Sequence, residues 1–310
     1  MRVLVTGGTG FLGSHLVAAL RQRGYEVVCL VRRKIRWEDA GITCHFVDLE
    51  LPEDLARCLK SESSCDAVVH FGAAMPDNAK DVSPYLAANV TATALLLEAA
   101  VDWQVKSIVF ASGVTVVGTP SGALVREEDV GIPQHSYILS KKLAEDTCEF
   151  YRHTKTVMAT SLRITSPYGP GMMPNRVLPR FVNAALSSRE ITLLGTGSRT
   201  QNFVHSSDVV QAVLLALETD KPGVYNVAGR SSVSMLDLAR TVVSCVPDCN
   251  SKIIFADKPD PQEHIRWEVD GSKAERELGF KASVGLAEGI SAYVESLNRS
   301  DFHRWWTPCD

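Results

Sequence analysis

Little in this sequence speaks for a metal, a membrane or a nucleic acid. Its 310 residues hold no C-x-x-C pair and no H-E-x-x-H or H-x-x-E-H spacing, the arrangements that commonly bring zinc ligands together. The eight cysteines are scattered, mostly inside apolar runs such as Cys29 in VVCLV and Cys148 in DTCEF, and read as buried thiols. Cys245 and Cys249 form a C-x-x-x-C with no neighbouring ligand pair, and His45, His153 and His264 stand alone, so no metal is expected. No apolar stretch approaches the roughly eighteen residues needed to cross a bilayer, and no charged segment followed by an apolar one opens the chain. The expectation is a cytoplasmic protein without a membrane partner. A formal charge of −4 and a pI near 6.1 give no general attraction to a phosphate backbone, which argues against nucleic acid. Internal repeats and low-complexity tracts are also missing.

What is present is a composition of 45% hydrophobic and 22% charged residues, enough for a large core. RVLVT reads as a strand. Leu12, Leu16, Ala19 and Leu20 then fall on one helical face that stops at Gly24, and EVVCLV is the next strand. CHFVDL, DAVVHF and SIVFAS follow as short apolar runs, separated by helical stretches over 53–60 and 85–103. Continuous apolar strands alternating with helices predict an α/β fold, a doubly wound parallel sheet covered on both faces. After residue 163 the pattern loosens, with SPYGPGMMP and LLGTGS. Helices are predicted over 176–187 and 207–218, a strand at VYNVA, and a helix begun by Ser234 with Asp237 in its first turn. Residues 1–165 therefore read as the sheet domain, with segments near 200–230 returning to it. Residues 166–310 read mainly as a smaller C-terminal substrate lobe. The terminal FHRWWTPCD, with two adjacent tryptophans, is expected to dock on the chain's own surface.

Between the first strand and first helix lies TGGTGFLG, in which Gly8, Gly10 and Gly13 satisfy G-x-G-x-x-G and Gly7, Gly10 and Gly13 recur every third residue. Strand before and helix after are the context in which that spacing carries meaning. Unpaired N–H groups and the helix dipole attract a pyrophosphate there, and a side chain would block its approach. A dinucleotide is implied. At the end of the second strand, where an acid would hold a ribose hydroxyl, the sequence reads Val31, Arg32, Arg33. Two guanidinium groups suit a 2′-phosphate, so NADP is favoured, with NAD left open.

Tyr137 and Lys141 in SYILSK lie one helical turn apart on the same face. An ammonium beside a phenol favours phenolate and would let Tyr137 exchange a proton with a substrate oxygen. Together with TGGTGFLG, FVDL, VVHFGAA, NVTATALLLEAA, VFASGVTVVG, LRITSPYGPG, QNFVHSSDVVQAVLLAL, YNVAG and DGSKAERELGF, these motifs span nearly the whole chain. They resemble the extended short-chain dehydrogenases/reductases of the NAD-dependent epimerase/dehydratase type, whose cofactor domain is a Rossmann fold. The resemblance implies that Gly7, Gly10, Phe11, Leu12 and Gly13 cradle the cofactor. It further implies that Asp48 and Leu49 flank the adenine, that Gly72, Ala73 and Asn89 lie along the cofactor, and that Lys141 also holds the nicotinamide ribose. Met75, Ser166 and Arg176 fall on the substrate side. It also implies a homodimer through the helices around 85–103 and 136–153.

Three departures qualify the resemblance. Gly113 stands where the family has a Ser or Thr that bonds the substrate oxygen. Ser112 is the first candidate to replace it, provided the strand end bends or the loop shifts, and Thr115 the second. Gln201 and Asn202 replace a family Arg-Asp, and ADKPDPQE occupies the region of a second family arginine, so two cationic clamps for a diphosphate are missing. Arg176 and Lys258 are the available substitutes. Ser166 replaces a family asparagine. The expected activity is hydride transfer between a nicotinamide and a carbonyl or carbinol carbon of a sugar-like or other small molecule, by a ketoreductase or an epimerase. The alternatives are a nucleotide-sugar epimerase/dehydratase with retained NAD and, because of Gly113, a regulatory protein that binds dinucleotide without turnover.

Overall fold

The computed structural model describes residues 1–33, 35–37, 39–75, 81–120, 124–155, 157–298 and 306–308. The first half runs β1 (Arg2–Thr6), α1 (Phe11–Gln22), β2 (Glu26–Val31), β3 (Ile35–Trp37), β4 (Ile42–Phe46), α2 (Pro52–Ser61), β5 (Ala67–His70) and α3 (Ser83–Tyr85). A π turn (Leu86–Thr91), α4 (Ala92–Asp102), β6 (Ser107–Gly113), a 3-10 turn (Val114–Val117) and α5 (Ser136–Thr154) complete it. Then come β7 (Ala159–Ile164), β8 (Ser166–Tyr168), α6 (Val177–Leu186), β9 (Ile191–Leu193), β10 (Thr200–His205), α7 (Ser206–Glu218) and β11 (Val224–Val227). The chain ends in β12 (Ser232–Ser234), α8 (Met235–Cys245), β13 (Ile253–Phe255), α9 (Ser272–Leu278), α10 (Leu286–Asn298) and β14 (Trp306–Pro308).

Seven strands form one sheet in the order β11-β7-β6-β5-β1-β2-β4, every neighbour parallel. The winding reverses between β1 and β5, and at such a switch point the carboxyl ends of the strands open a crevice that binds ligands. Alternation sorts the side chains. Val3 and Val5 pack with Leu16, Leu20, Val213 and Leu278 on one face, while Leu4 packs with Leu55, Leu96, Leu97 and Ala144 on the other. Leu4, Leu16, Leu20, Leu55, Leu96 and Leu97 are fully buried, each contributing about 1.5–3 kcal/mol of transfer free energy.

One sequence expectation is revised. The continuous helix Ser83–Asp102 is long and apolar enough by length and composition to cross a bilayer, with mean hydropathy 1.3. Half of it is buried inside the protein, where Ala92, Leu96, Leu97 and Ala100 join the sheet core. Its apolarity is that of a core helix.

The second half builds a smaller unit from a three-stranded sheet, β12-β10-β8, and a pair, β13-β9. Tyr168, Leu178, Phe181, Val182, Leu193, Leu238, Val242 and Ile290 make its core. Ser234 caps α8, its hydroxyl accepting from the Asp237 amide at 3.0 Å, a contact whose loss would cost about 1 kcal/mol. β11 leaves this unit to pair with β7 in the large sheet. β14 pairs antiparallel with β3, Trp306 opposite Trp37; the rest of the terminal FHRWWTPCD lies outside the described residues.

Candidate active site

The glycine turn folds as it does because Gly7 and Gly13 leave no room for a side chain. Gly7 takes φ +70° and a Cβ there would lie 2.7 Å from the Gly72 amide nitrogen. A Cβ on Gly13 would lie 2.0 Å from the Gly7 carbonyl oxygen. The Gly10 amide donates to the Gly7 carbonyl at 2.9 Å, closing the turn. α1 starts at Phe11 with no acidic residue in its first turn, so nothing in that turn offsets the positive end of the helix. Thr6 ties the second wall in place: its Oγ1 accepts from the Gly72 amide at 2.9 Å and lies 2.6 Å from His70 Nδ1. Leu49 closes from the third side, 2.6 Å from where a Gly72 Cβ would be. Gly7, Gly13, Leu49 and Gly72 thus pack closely at the start of α1, and a helix start with glycines in place of side chains suits a dinucleotide pyrophosphate. Phe11 and Leu12 open α1, and Ala73 follows Gly72 in the loop after β5.

Other cofactor candidates lie outside this turn. Asp48 is half-buried and its carboxylate accepts from the Glu50 amide at 3.0 Å. Arg32 and Arg33 are exposed at the end of β2, and Arg32 makes only a loose ion pair with Glu50 at 3.8 Å, both side chains more than half exposed. Asn89 lies in the π turn, and its side chain is committed to the protein. Its oxygen accepts from the Ala74 amide at 2.8 Å and its nitrogen donates to Ser140 Oγ at 2.8 Å. It clasps the loop after β5 onto α5.

α5 carries Tyr137 and Lys141. Burial pushes the Tyr137 phenol above its usual value, and the Arg176 guanidinium draws it part of the way back. Lys141 is buried; desolvation lowers its ammonium to about 8, while Cys148 and Glu145 act to raise it. Its Nζ rests 4.1 Å from the centroid of the Phe110 ring. Arg176 acts to lower the phenol, against the larger effect of burial, and Lys141 follows Tyr137 by one turn of α5. Phe110, remote in sequence, gives the ammonium a ring face to rest on. His70, also buried, is held neutral by burial and by Lys141, with a value of about 3.

The two candidate oxygen donors part company. Register places Ser112 opposite Arg163, on the side of Ile108 and Phe110 that packs under α5. Its hydroxyl donates to Glu145 Oε2 at 2.7 Å, fully buried. The strand does not bend to bring it round, and the preference for Ser112 over Thr115 falls with that bend. Thr115 is exposed in the 3-10 turn, its Oγ1 only 3.6 Å from where a Gly113 Cβ would stand. Its hydroxyl therefore lies in the neighbourhood that a side chain at 113 would fill.

On the substrate side, Met75 and Arg176 are exposed, and Arg176 precedes α6 as its N-cap. Ser166 accepts a hydrogen bond from the Gln201 amide, and Asn202 pairs with the Gly229 backbone, accepting from its amide at 2.7 Å. The residues in place of the family Arg-Asp are thus bound to their own lobe. Asp260, within ADKPDPQE, holds Arg199 at 2.9 Å. Sequence reasoning missed Arg199, Phe110, His70 and the buried pair Glu145–Arg163. Only Glu145 left a signal, two helical turns after Tyr137 on the same face.

Comparison with known proteins agrees with this geometry. The profile of the NAD dependent epimerase/dehydratase family matches residues 3–228. The dTDP-D-glucose 4,6-dehydratase of Bos taurus is 28% identical over 98% of this chain and 90% of its own length. A dTDP-4-dehydro-6-deoxy-D-allose reductase from a Streptomyces species is 34% identical over 78% of this chain and 80% of its own. The crystal structure of UDP-glucuronic acid 4-epimerase from Bacillus cereus, in complex with UDP-glucuronic acid and NAD, superposes with a TM-score of 0.81 at 27% identity, covering 96% of this chain and 99% of that one. This chain therefore belongs to the NAD-dependent epimerase/dehydratase family of extended short-chain dehydrogenases/reductases, which are enzymes.

Proposed function

We propose that this protein is an NAD(P)-dependent ketoreductase acting on a sugar-like carbonyl compound. The observation that carries the reading is the placement of Tyr137 one turn before the buried Lys141 on α5, with the exposed Thr115 in the turn that follows β6. A phenol that holds its proton at neutral pH is a donor to a carbonyl oxygen, the group that needs one during reduction. Thr115 takes the place of the missing side chain at Gly113 and donates to the same oxygen. Lys141 orients the cofactor ribose and Arg176 supplies positive potential toward the phenol. The cofactor, when bound in the cradle, supplies the hydride. The reductase from Streptomyces, at 34% identity, supports the same direction.

For the cofactor, NAD in the Bacillus cereus complex supports NAD, and the exposed Arg32 and Arg33 support a preference for NADP. We take the cleft to accept both, NADP more tightly. A homodimer through α4 and α5 is supported by Leu139, Leu143 and Phe150, which leave 38%, 38% and 58% of their surface exposed along α5. The cytoplasm remains the proposed location, since the cysteines among the described residues are thiols and suit a reducing compartment.

The decisive experiment is Tyr137→Phe assayed by nicotinamide absorbance against a panel of keto-sugars, free and nucleotide-linked. The variant is expected to bind dinucleotide as the wild type does and to lose at least about a hundredfold in kcat. Wild-type turnover in Tyr137→Phe would refute the proton-donor role. Interconversion of two sugars without net cofactor oxidation would identify an epimerase instead.

A further inference from the structure

α5 carries a third functional side chain one turn past Lys141. Glu145 and Arg163 bury their side chains to 2% and 6% exposure. Arg163 Nη2 donates to Glu145 Oε1 at 2.7 Å, and its Nε reaches both carboxylate oxygens, at 3.2 and 3.1 Å. Ser112 adds its hydroxyl to Oε2 at 2.7 Å. Arg163 Nη1 donates onward to the Glu127 carbonyl at 2.8 Å, and Glu127 Oε1 accepts from the Asn226 amide at 2.8 Å. One carboxylate on α5 is thus bonded directly to β6 and β7, and through Glu127 to β11. Burying such a pair gives little or no stability over an apolar pair of similar volume, so its place in the fold needs another explanation.

The shell around Lys141 supplies one. From its own helix Cys148 and Glu145 act on it. β5 contributes neutral His70 and β6 the Phe110 ring, while Ser112 of β6 and Arg163 of β7 stand behind Glu145. Burial pushes the Cys148 thiol up to about 12, so it carries no charge at neutral pH. Glu145 is the one anion acting on Lys141 among the described residues.

We propose that Glu145 is a positioning residue of the reaction centre. Clamped by Arg163 and Ser112, it fixes the turn of α5 that carries Lys141 against the ends of β6 and β7 and supplies the counter-charge to that buried ammonium. The inference rests on the reading of Tyr137 and Lys141 as the reaction centre.

The test begins on the cofactor-free protein, by NMR titration of isotope-labelled lysine, with Lys141→Met identifying the signal. Glu145→Gln is expected to lower the Lys141 midpoint by about one pH unit or more, since a charge is lost at close range in a poorly solvated site. Glu145→Gln/Arg163→Gln keeps a neutral hydrogen-bonded pair and is expected to lower it by less; Arg163→Gln alone is expected to raise it. In the holoenzyme the alkaline limb of kcat should move in the same order, with KM for the carbonyl substrate changed less than kcat. Should Glu145→Gln fail to fold, the double variant carries the test. An unmoved Lys141 midpoint in that variant, or a wild-type pH profile of kcat, overturns the proposal. A midpoint that moves in the stated order, in an enzyme whose turnover is indifferent to Tyr137→Phe, supports the electrostatic role and refutes the reaction-centre reading instead.

Discussion

Replacing Thr115 by Val removes one hydroxyl and keeps the side chain's shape, so it isolates the donor that Gly113 does not provide. An oxygen donor in an enclosed site is worth about 2.7–4 kcal/mol. Thr115 is exposed, and solvent weakens its contribution, so a loss of about 1.5–2.5 kcal/mol is expected, roughly 10–100-fold in kcat. The structure also provides the rescue. Gly113 has extended backbone, φ −134° and ψ 145°, and a Cβ added there meets nothing closer than Thr115 Oγ1 at 3.6 Å and the Ile164 carbonyl at 3.9 Å. A serine therefore fits without strain, with its hydroxyl beside the one removed. Gly113→Ser placed in the Thr115→Val background should recover at least about fivefold of the lost kcat. The assay is kcat at saturating dinucleotide with the best keto-sugar of the panel, alongside dinucleotide Kd, which should stay within about twofold because the donor acts on the substrate oxygen. A Thr115→Val enzyme within about twofold of wild-type kcat would refute the assignment. So would Gly113→Ser leaving the defect unchanged in a folded protein.

Arg32→Ala/Arg33→Ala should weaken NADP about tenfold or more and leave NAD nearly unchanged, because only the former offers a phosphate for charge-assisted bonds; calorimetric titration of both cofactors decides it. Leu143→Asp puts a charge on the exposed α5 stripe and should yield folded monomers by sedimentation, where a wild type that is already monomeric would remove the dimer. His70 supplies a pH signature. Its ordinary value is 6.5 and the fold holds it near 3, so below about pH 6.5 the unfolded chain takes up a proton that the folded chain refuses. Stability is therefore complete above that range and falls as pH drops toward 3, by at most about 1.4 kcal/mol per pH unit from this group. Urea midpoints between about pH 7 and about pH 5 should fall less steeply in His70→Gln than in wild type; equal slopes would exclude His70 as the source.

Features that depend on neighbours in sequence were legible before the fold was known. The glycine spacing, the alternating apolar strands, the Tyr137–Lys141 turn and the Ser234 cap each need only a few consecutive residues. Features made by distant residues were not. Ser112 and Thr115 are equivalent in composition, and only the strand register, with Phe110 and Ser112 facing α5, separates them. The π turn aims the Asn89 amide at Ala74 and Ser140, and nothing in NVTATALLLEAA announces that extra residue in the helical turn. The Glu145–Arg163 pair joins residues 18 apart across two elements, and the seat of Lys141 on Phe110 depends on how α5 lies over the sheet.

The sheet's last strand has a practical consequence. Because β11 is contributed after the chain has already built β8 to β10, the cofactor half cannot be excised at residue 165 without leaving β7 as a raw edge. That edge would offer its unpaired amides and carbonyls to any other chain. A gene fragment ending there should yield a sticky, self-associating product. Circular permutation, which keeps both crossings, is the sounder way to separate the two halves in time.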